Sequence, residues 1–362
     1  MAPADSARDD KRFLLLMLLG GLALRLIWLV QVNGPIDGFY GSAEATHVAL
    51  AFARHRSIAD AYFEGYGPTA HLLPVLPAIA GSILWLFGPG SSAANIALLA
   101  WSLLQVGAAY LLLRRLFERL GADPLVTRWG MALLCLALPF APQETIDFRY
   151  WEGAAALCLA ACNLLWIAAF DAGRAFDRRA MLCVAALSAI TFFVCPPVGL
   201  AVDGCWAIFA LRRLPVRRWL AFGALSAAAL AVLLVPWALR NERALGTPVM
   251  LRSNFGLEFA LANHPAAVSG RAPEYVFADR LLEIHPYQKL GKGQAALRAA
   301  GGEVAYSREL GRKTWLWIAA HPADFARLSL RHLREFFFPA PGRCISPAGR
   351  ACATRARSRC RS

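Results

Sequence analysis

Hydrophobic positions in this chain gather into long continuous blocks instead of alternating with polar ones. The longer blocks approach the ~17–22 residues that a helix needs to cross a hydrocarbon layer of ~30 Å. Seven of them cover residues 13–32, 94–113, 128–142, 152–170, 180–194, 198–211 and 220–237. This pattern predicts an all-α, polytopic membrane protein, and the long polar stretches between blocks are the places where a functional site can form.

Composition supports the same class of protein. Apolar residues make up 58% of the 362 residues and charged residues 17%, whereas soluble domains average about 45–50% and about 25%. The balance excludes a soluble enzyme, a disordered chain and a disulfide-stapled secreted domain. The net charge of +14 comes from basic residues between the blocks. It therefore indicates membrane topology, and no nucleic-acid partner is expected.

The basic clusters fix the predicted orientation. They lie at residues 11–12, 114–119, 174–179 and 212–218, and all four are cytoplasmic only if the further apolar run 72–87 does not cross. That run contains Pro74 and Pro77, which favours an interfacial or re-entrant helix. The result is about seven spans with the amino terminus inside; a crossing at 72–87 would instead place three clusters outside.

This topology divides the chain into a membrane core and outer loops. The predicted parts are a cytoplasmic N-terminus 1–12, a transmembrane core 13–237 with a first outer loop 33–94, an outer loop 238–313, a juxtamembrane amphipathic helix 314–342 and a basic tail 343–362. Membrane lipids are expected partners throughout the core.

The first outer loop carries the first candidate chemistry. Glu44 is predicted to begin a short helix, with His47 one turn later on the same face. A carboxylate there can act as a general base or hold a divalent metal ion, although the helix dipole alone also favours an acid at a helix start. Asp37 is a second acid in this loop. His71, after a Gly-Pro-Thr turn, is suited either to a phosphate contact or to anchoring at the interface.

Later stretches supply the remaining candidate site residues, which are Arg149, Glu152, Arg240, Arg252, Asn254 and Asn263. Arginine donors suit phosphate oxygens, and the asparagines suit sugar hydroxyls. Glu152 lies at the mouth of a predicted span, where an acid is costly and therefore suggests function. Arg25, inside the first block, is expected either to snorkel or to pair with an acid.

Several of these residues stand in motifs that resemble one family. The motifs are Pro-Trp-x-x-Arg-Asn at 236–241, Leu-Arg-Ser-Asn-Phe-Gly-Leu-Glu at 251–258, Ala-Asn-His at 262–264, Gly-Pro-Thr-Ala at 67–70, Leu-Pro-x-x-Pro at 73–77, Phe-Gly at 87–88, His-Pro at 285–286, Gly-Glu-Val-Ala-Tyr at 302–306 and His-Pro-x-x-Phe at 321–325. Together they resemble the bacterial GT-C membrane glycosyltransferases of the protein-mannosyltransferase (glycosyltransferase family 39-like) superfamily, over roughly residues 13–338.

The resemblance implies a fold and an activity. It implies a GT-C-like bundle in a bacterial cytoplasmic (inner) membrane, with a polyprenyl-phosphate-linked sugar as donor and a hydroxyl on a lipid, glycan or protein as acceptor. It places Glu44 on the acidic motif of the first outer loop, as base or ligand of a divalent metal ion. Many relatives carry a second acid immediately before it, where this chain has Ala43, and Asp37 or Glu152 could supply the missing carboxylate.

The carboxyl end departs from the family pattern. Relatives usually continue with further spans, whereas residues 343–362 hold six arginines, three cysteines and no acid. This tail is interpreted either as a basic segment that contacts lipid headgroups or as a shifted reading frame. The alternatives to an active transferase are therefore a truncated, inactive relative or binding protein and, from a different class, a lipid or sugar transporter.

Overall fold

The structure is a computed structural model that describes residues 3–338, and this part of the chain is helical with no β-strand. Its helices are α1 Pro3–Val32, α2 Ala43–His55, α3 Val75–Phe87, α4 Ser92–Arg119, α5 Pro124–Leu136, α6 Ala141–Thr145, α7 Gly153–Asp171, α8 Arg178–Val194, α9 Pro196–Arg213, α10 Val216–Leu245, α11 Phe255–Ala262, α12 Pro273–Ile284, α13 Gly293–Ala299, α14 Glu303–Ala320 and α15 Pro322–Phe337. Short 3-10 turns occupy Leu138–Phe140, Asp147–Arg149 and Pro265–Val268. The predicted all-α class is confirmed.

Four described helices are long and apolar enough to cross a membrane. They are the part of α1 from Asp9 to Val32, and α4, α7 and α10. A fifth crossing exists if α5 and the segment Leu138–Arg149, bent by 45° from it, form one span. α3 has 13 residues, about 20 Å, which is shorter than the hydrocarbon layer. The chain is a membrane-embedded helical protein.

Two further predicted spans correspond to α8 and α9. α8 has 17 residues, or about 26 Å. α9 carries Asp203 within it and Arg212 and Arg213 in its last turn. Neither reaches the length and apolarity of the four long helices, so the count of seven crossings stays a prediction.

The apolar block 128–142 is not one continuous helix, and proline is the physical reason. α5 ends at Leu136, and Pro139 and Pro142 follow in the next two short elements. A helix continued through Pro139 would lack the N–H that bonds to the Cys135 carbonyl. Arg25 of α1 takes over, since its Nη1 donates to that carbonyl and its Nη2 lies 3.3 Å from the Leu134 oxygen.

Arg25 also forms the central ion pair of this bundle. Its Nε donates to the Glu144 carboxylate, and the two side chains are 3% and 4% exposed. The Tyr110 hydroxyl of α4 donates to the same carboxylate. The close approach of α1 to α5 requires Gly21, because a Cβ there would lie 2.3 Å from the Cys135 oxygen. Pairing, one of the two roles expected for Arg25, is therefore the one observed.

The described chain forms two compact units. Within the described residues, the first comprises residues 3–254 and 297–304, and the second comprises residues 255–296 and 305–338. In the first unit α7 to α10 pack around an aromatic cluster of Phe170, Phe176, Trp206 and Phe222. In the second unit α11 packs against α12.

The region after residue 237 is more helical than a polar loop. α10 continues to Leu245, eight residues beyond the predicted end of the last span. Over its described residues, 314–338, the predicted juxtamembrane helix 314–342 is instead divided between α14 and α15, which meet at His321 and Pro322. Pro322 lacks the N–H that would continue α14, and it suits the first position of a new helix. The predicted basic tail 343–362 lies outside the described residues.

Candidate functional site

The candidate site lies in the first unit, around the start of α2. Glu44 stands in the first turn of α2 and is 8% exposed; the predicted short helix in this position is confirmed. Ser42 precedes the helix, and its backbone N–H donates to Thr46 Oγ1 at 2.5 Å. Between Ser42 and Glu44, Ala43 has a φ of 46°. This left-handed conformation costs about 1–2 kcal/mol for a residue with a Cβ. Backbone strain of this kind tends to occur at functional sites.

The segment after α6 is tied to this helix start. Ser42 Oγ donates to Asp147 Oδ1 at 2.6 Å, and Trp151 Nε1 donates to Ser42 Oγ at 2.8 Å. Asp147 thus places a second carboxylate next to Ser42, two residues before Glu44. It is not among the candidates predicted from the sequence, and its position between Glu144 and Glu152 was the only available signal.

Arg149 is the most unusual charge of the site. It is 1% exposed, and its Nε donates to the Thr145 oxygen at 2.6 Å. In the described chain no acceptor bonds to its Nη1 or Nη2. Its guanidinium lies 5.1 Å from the centre of the Tyr40 ring, a cation–π contact that offsets only part of the cost of burial. A buried guanidinium with two unused donor groups is a ready partner for an anion.

A narrow cleft of about 10 Å³, room for about one water molecule, adjoins this segment. Glu152, directly before α7, forms an ion pair with Arg252 in its wall. Tyr150 and Trp151 line the same cleft together with apolar side chains of the 72–77 stretch. Arg252 Nε is buried and has no acceptor among the described residues. The structure thus brings two of the predicted site residues, Glu152 and Arg252, into direct contact.

A further buried carboxylate, that of Glu303, was not predicted as a site residue. It accepts from Thr69 Oγ1 and the Ala70 N–H, each at 2.6 Å, and from Ser253 Oγ at 2.8 Å. Burial raises the pKa of the Glu303 carboxyl, and the hydrogen bonds from these three donors oppose that rise. Glu303 therefore joins the Gly-Pro-Thr-Ala turn to the stretch that carries Arg252. Its signal in the sequence was only its place in the Gly-Glu-Val-Ala-Tyr motif.

His71 and Arg240 support the same turn. Tyr62 Oη lies 3.1 Å from His71 Nδ1, and the His71 N–H donates to Thr69 Oγ1 at 3.0 Å. Arg240 Nη1 donates to the Thr69 oxygen at 2.8 Å, and its Nη2 donates to the Ile58 oxygen at 2.5 Å. Two donor groups of Arg240 are therefore occupied by backbone carbonyls, so Arg240 stabilises the turn in this structure.

The other predicted residues are more dispersed. Asp37 accepts from Ser92 Oγ at 2.7 Å, and Asn95 Nδ2 donates to its carbonyl oxygen, so Asp37 lies at the start of α4. His47 is half-buried on α2, and Asn254 is buried in the first unit. Asn263 belongs to the second unit, where its Nδ2 donates to the Phe259 oxygen at 3.0 Å.

Within residues 3–338 no three His, Cys, Asp or Glu side chains gather closely enough to hold a metal ion. The divalent ion implied by the family resemblance therefore stays a prediction.

Comparison with protein-family models, with curated proteins and with solved structures found no match to this chain. The class defined so far is a membrane-embedded helical protein with buried, incompletely paired charges beside a strained helix start.

The strain at Ala43 gives a first prediction. We expect Ala43→Gly to raise the free energy of unfolding by about 1 kcal/mol, because glycine adopts a positive φ without a Cβ clash. Thermal unfolding of the purified protein in one detergent measures the change. Gly41→Ala, at a neighbouring position without a positive φ, is the control: alanine restricts the unfolded chain there, so this variant should not lower stability and the preference between glycine and alanine should reverse. A lower stability of Ala43→Gly would show that the Ala43 conformation carries no penalty.

Proposed function

We propose that this protein is a membrane glycosyltransferase that moves a sugar from a polyprenyl-phosphate donor to an acceptor hydroxyl on the outer face of the bacterial cytoplasmic membrane. The observation that carries the proposal is Arg149, a buried guanidinium whose Nη1 and Nη2 find no acceptor in the described chain. The phosphate of a lipid-linked sugar supplies oxygens of the charge and geometry that such a group binds.

The roles in the reaction follow from the chemistry of each group. Glu44 removes the proton of the acceptor hydroxyl, and the acceptor oxygen forms a bond to the anomeric carbon. The bond between that carbon and the phosphate oxygen breaks, and the electron pair leaves with the polyprenyl phosphate. Arg149 and Arg252 stabilise the charge that develops on the departing phosphate. Glu303 holds the turn at 67–70 and does not react.

Substitution of Arg149 can distinguish a role in binding the lipid donor from a structural role. An unpaired buried charge lowers the stability of the protein without ligand. We therefore expect Arg149→Met to leave the unfolding temperature unchanged or higher. The apparent KM for the lipid donor should rise at least ~10-fold, because the variant loses a charge-assisted hydrogen bond worth about 1.5–3 kcal/mol. Unfolding in detergent and transfer from a radiolabelled polyprenyl-phosphate sugar in nanodiscs measure the two quantities.

The opposite pattern would contradict the assignment. If Arg149→Met unfolds at a lower temperature and transfers sugar at the wild-type KM, Arg149 is a structural residue. Arg54→Met is the matched control, since Arg54 lies exposed near the end of α2 and pairs with Glu64. It should change neither the unfolding temperature nor the KM.

Arg252 provides an independent test of the donor site. We expect Arg252→Ala to raise the apparent KM for the lipid donor about 10-fold or more, because it removes a cation from the cleft and leaves Glu152 without its partner. Titration of the lipid donor at a fixed acceptor concentration measures the effect. An unchanged donor KM would exclude Arg252 from the phosphate site and leave it as the partner of Glu152 alone.

A further inference from the structure

The second unit carries a surface of a different kind on α15. Leu328 is buried at 2% exposure and turns one face of the helix inward. About 200° around the helix, at ~100° per residue, Leu330, Leu333 and Phe337 form a stripe along one side. They are 67%, 57% and 65% exposed. The helix therefore presents an apolar stripe to its surroundings on the side away from its own packing.

A row of arginines borders this stripe. Arg327, Arg331 and Arg334 follow at spacings of four and three residues, which place them within ~60° of each other on the helix. They line a cleft of about 420 Å³ together with Leu328, Leu330 and Val268. The cleft thus has cationic walls and continues into the apolar stripe.

The arginines keep unused hydrogen-bond donors. Arg331 Nη2 donates to the Ala267 oxygen at 2.9 Å, but its Nε is buried without an acceptor among the described residues. Arg327 pairs with Asp324 of its own helix at 2.6 Å. Among the described residues, the lining of the cleft holds three arginines and no carboxylate side chain. The cleft therefore has a net positive charge and donors for an anion.

We propose that α15 binds an anionic phospholipid, with the phosphate in the arginine cleft and the acyl chains along Leu330, Leu333 and Phe337. A phosphate beside two acyl chains matches the arrangement of cationic cleft and adjoining apolar stripe. A basic amphipathic helix with exposed leucine and phenylalanine is typical of helices that lie in the lipid interface. This site shares no residue with the sugar-transfer site proposed above and does not depend on it.

The test uses the full chain in nanodiscs of phosphatidylcholine with a minority of phosphatidylglycerol. A photoreactive benzoylphenylalanine replaces Phe337, and mass spectrometry identifies what is crosslinked to it. We expect lipid adducts in which phosphatidylglycerol is enriched over its bulk share by about fivefold or more, the contribution of one well-placed arginine. The triple variant R327Q/R331Q/R334Q should return that ratio to the bulk value.

A matched control removes the same charge elsewhere in the second unit. The variant R271Q/R308Q/R312Q should keep the enrichment, because these residues do not line the cleft. Three results would overturn the proposal. The first is adducts in the bulk lipid ratio in the wild-type protein. The second is adducts to protein only, which would make the stripe an interface between chains. The third is loss of the enrichment on addition of millimolar inorganic phosphate, which would make the cleft a site for free phosphate.

Discussion

We expect Glu44→Gln to reduce sugar transfer by at least ~10²–10⁴-fold while the protein still inserts and folds. Glutamine keeps the shape of the side chain, but its amide cannot accept the proton of the acceptor hydroxyl, and general-base catalysis contributes a factor of this size. The assay is transfer from a radiolabelled polyprenyl-phosphate sugar in nanodiscs, with membrane extraction and the unfolding temperature as checks on folding.

Two comparison variants locate the base. Glu64→Gln is the matched control, because Glu64 is 80% exposed and pairs with Arg54; it should remain fully active. Asp147→Asn tests the rival carboxylate that Ser42 brings to the start of α2. A fully active Glu44→Gln enzyme with an inactive Asp147→Asn enzyme would assign the base to Asp147 instead.

The largest loss of stability is expected at Arg25. Arg25→Met should lower the free energy of unfolding by about 3–5 kcal/mol, because it leaves the Glu144 carboxylate buried and unpaired. It also removes the donors that reach the Cys135 and Leu134 carbonyls at the end of α5. Equilibrium unfolding in a fixed detergent, followed by helical circular dichroism, measures this loss.

A double variant separates the ion pair from the packing. Arg25→Met combined with Glu144→Gln should be more stable than Arg25→Met alone, since the uncompensated charge is then gone. Arg213→Met is the surface comparison, because Arg213 and Asp171 are both 54% exposed, and it should unfold like the wild type. Additive losses in the double variant would mean that Arg25 and Glu144 do not stabilise each other.

The long helices are the part of the fold that could be predicted best. The blocks at 13–32, 94–113, 152–170 and 220–237 correspond to α1, α4, α7 and α10, the four helices long and apolar enough to cross a membrane. Such segments must satisfy their own backbone hydrogen bonds in lipid, so length and hydropathy alone predict a helix there. The helix at Glu44 could likewise be predicted, because its signals lie within one or two turns.

Where the hydropathy pattern was misleading, a proline ended a helix inside a continuous stretch. The block 128–142 is continuous in hydropathy, but Pro139 breaks the helix and Arg25, more than 100 residues away, satisfies the carbonyls that the break leaves. The stretch 314–342 was predicted as one helix from its amphipathic character, whereas His321 and Pro322 divide its described part, 314–338.

The sequence by itself determined the class of protein, the places where polar chemistry can lie, and several candidate residues such as Glu44, Glu152 and Arg252. Only the tertiary structure decided which charges meet. It paired Arg25 with Glu144, joined Glu303 to Thr69 across 234 positions, and left Arg149 buried with unused donors. The physical reason is that hydropathy and local spacing act over one helix, whereas the pairing of charges depends on how separate helices pack, and burial makes those pairings costly to leave incomplete.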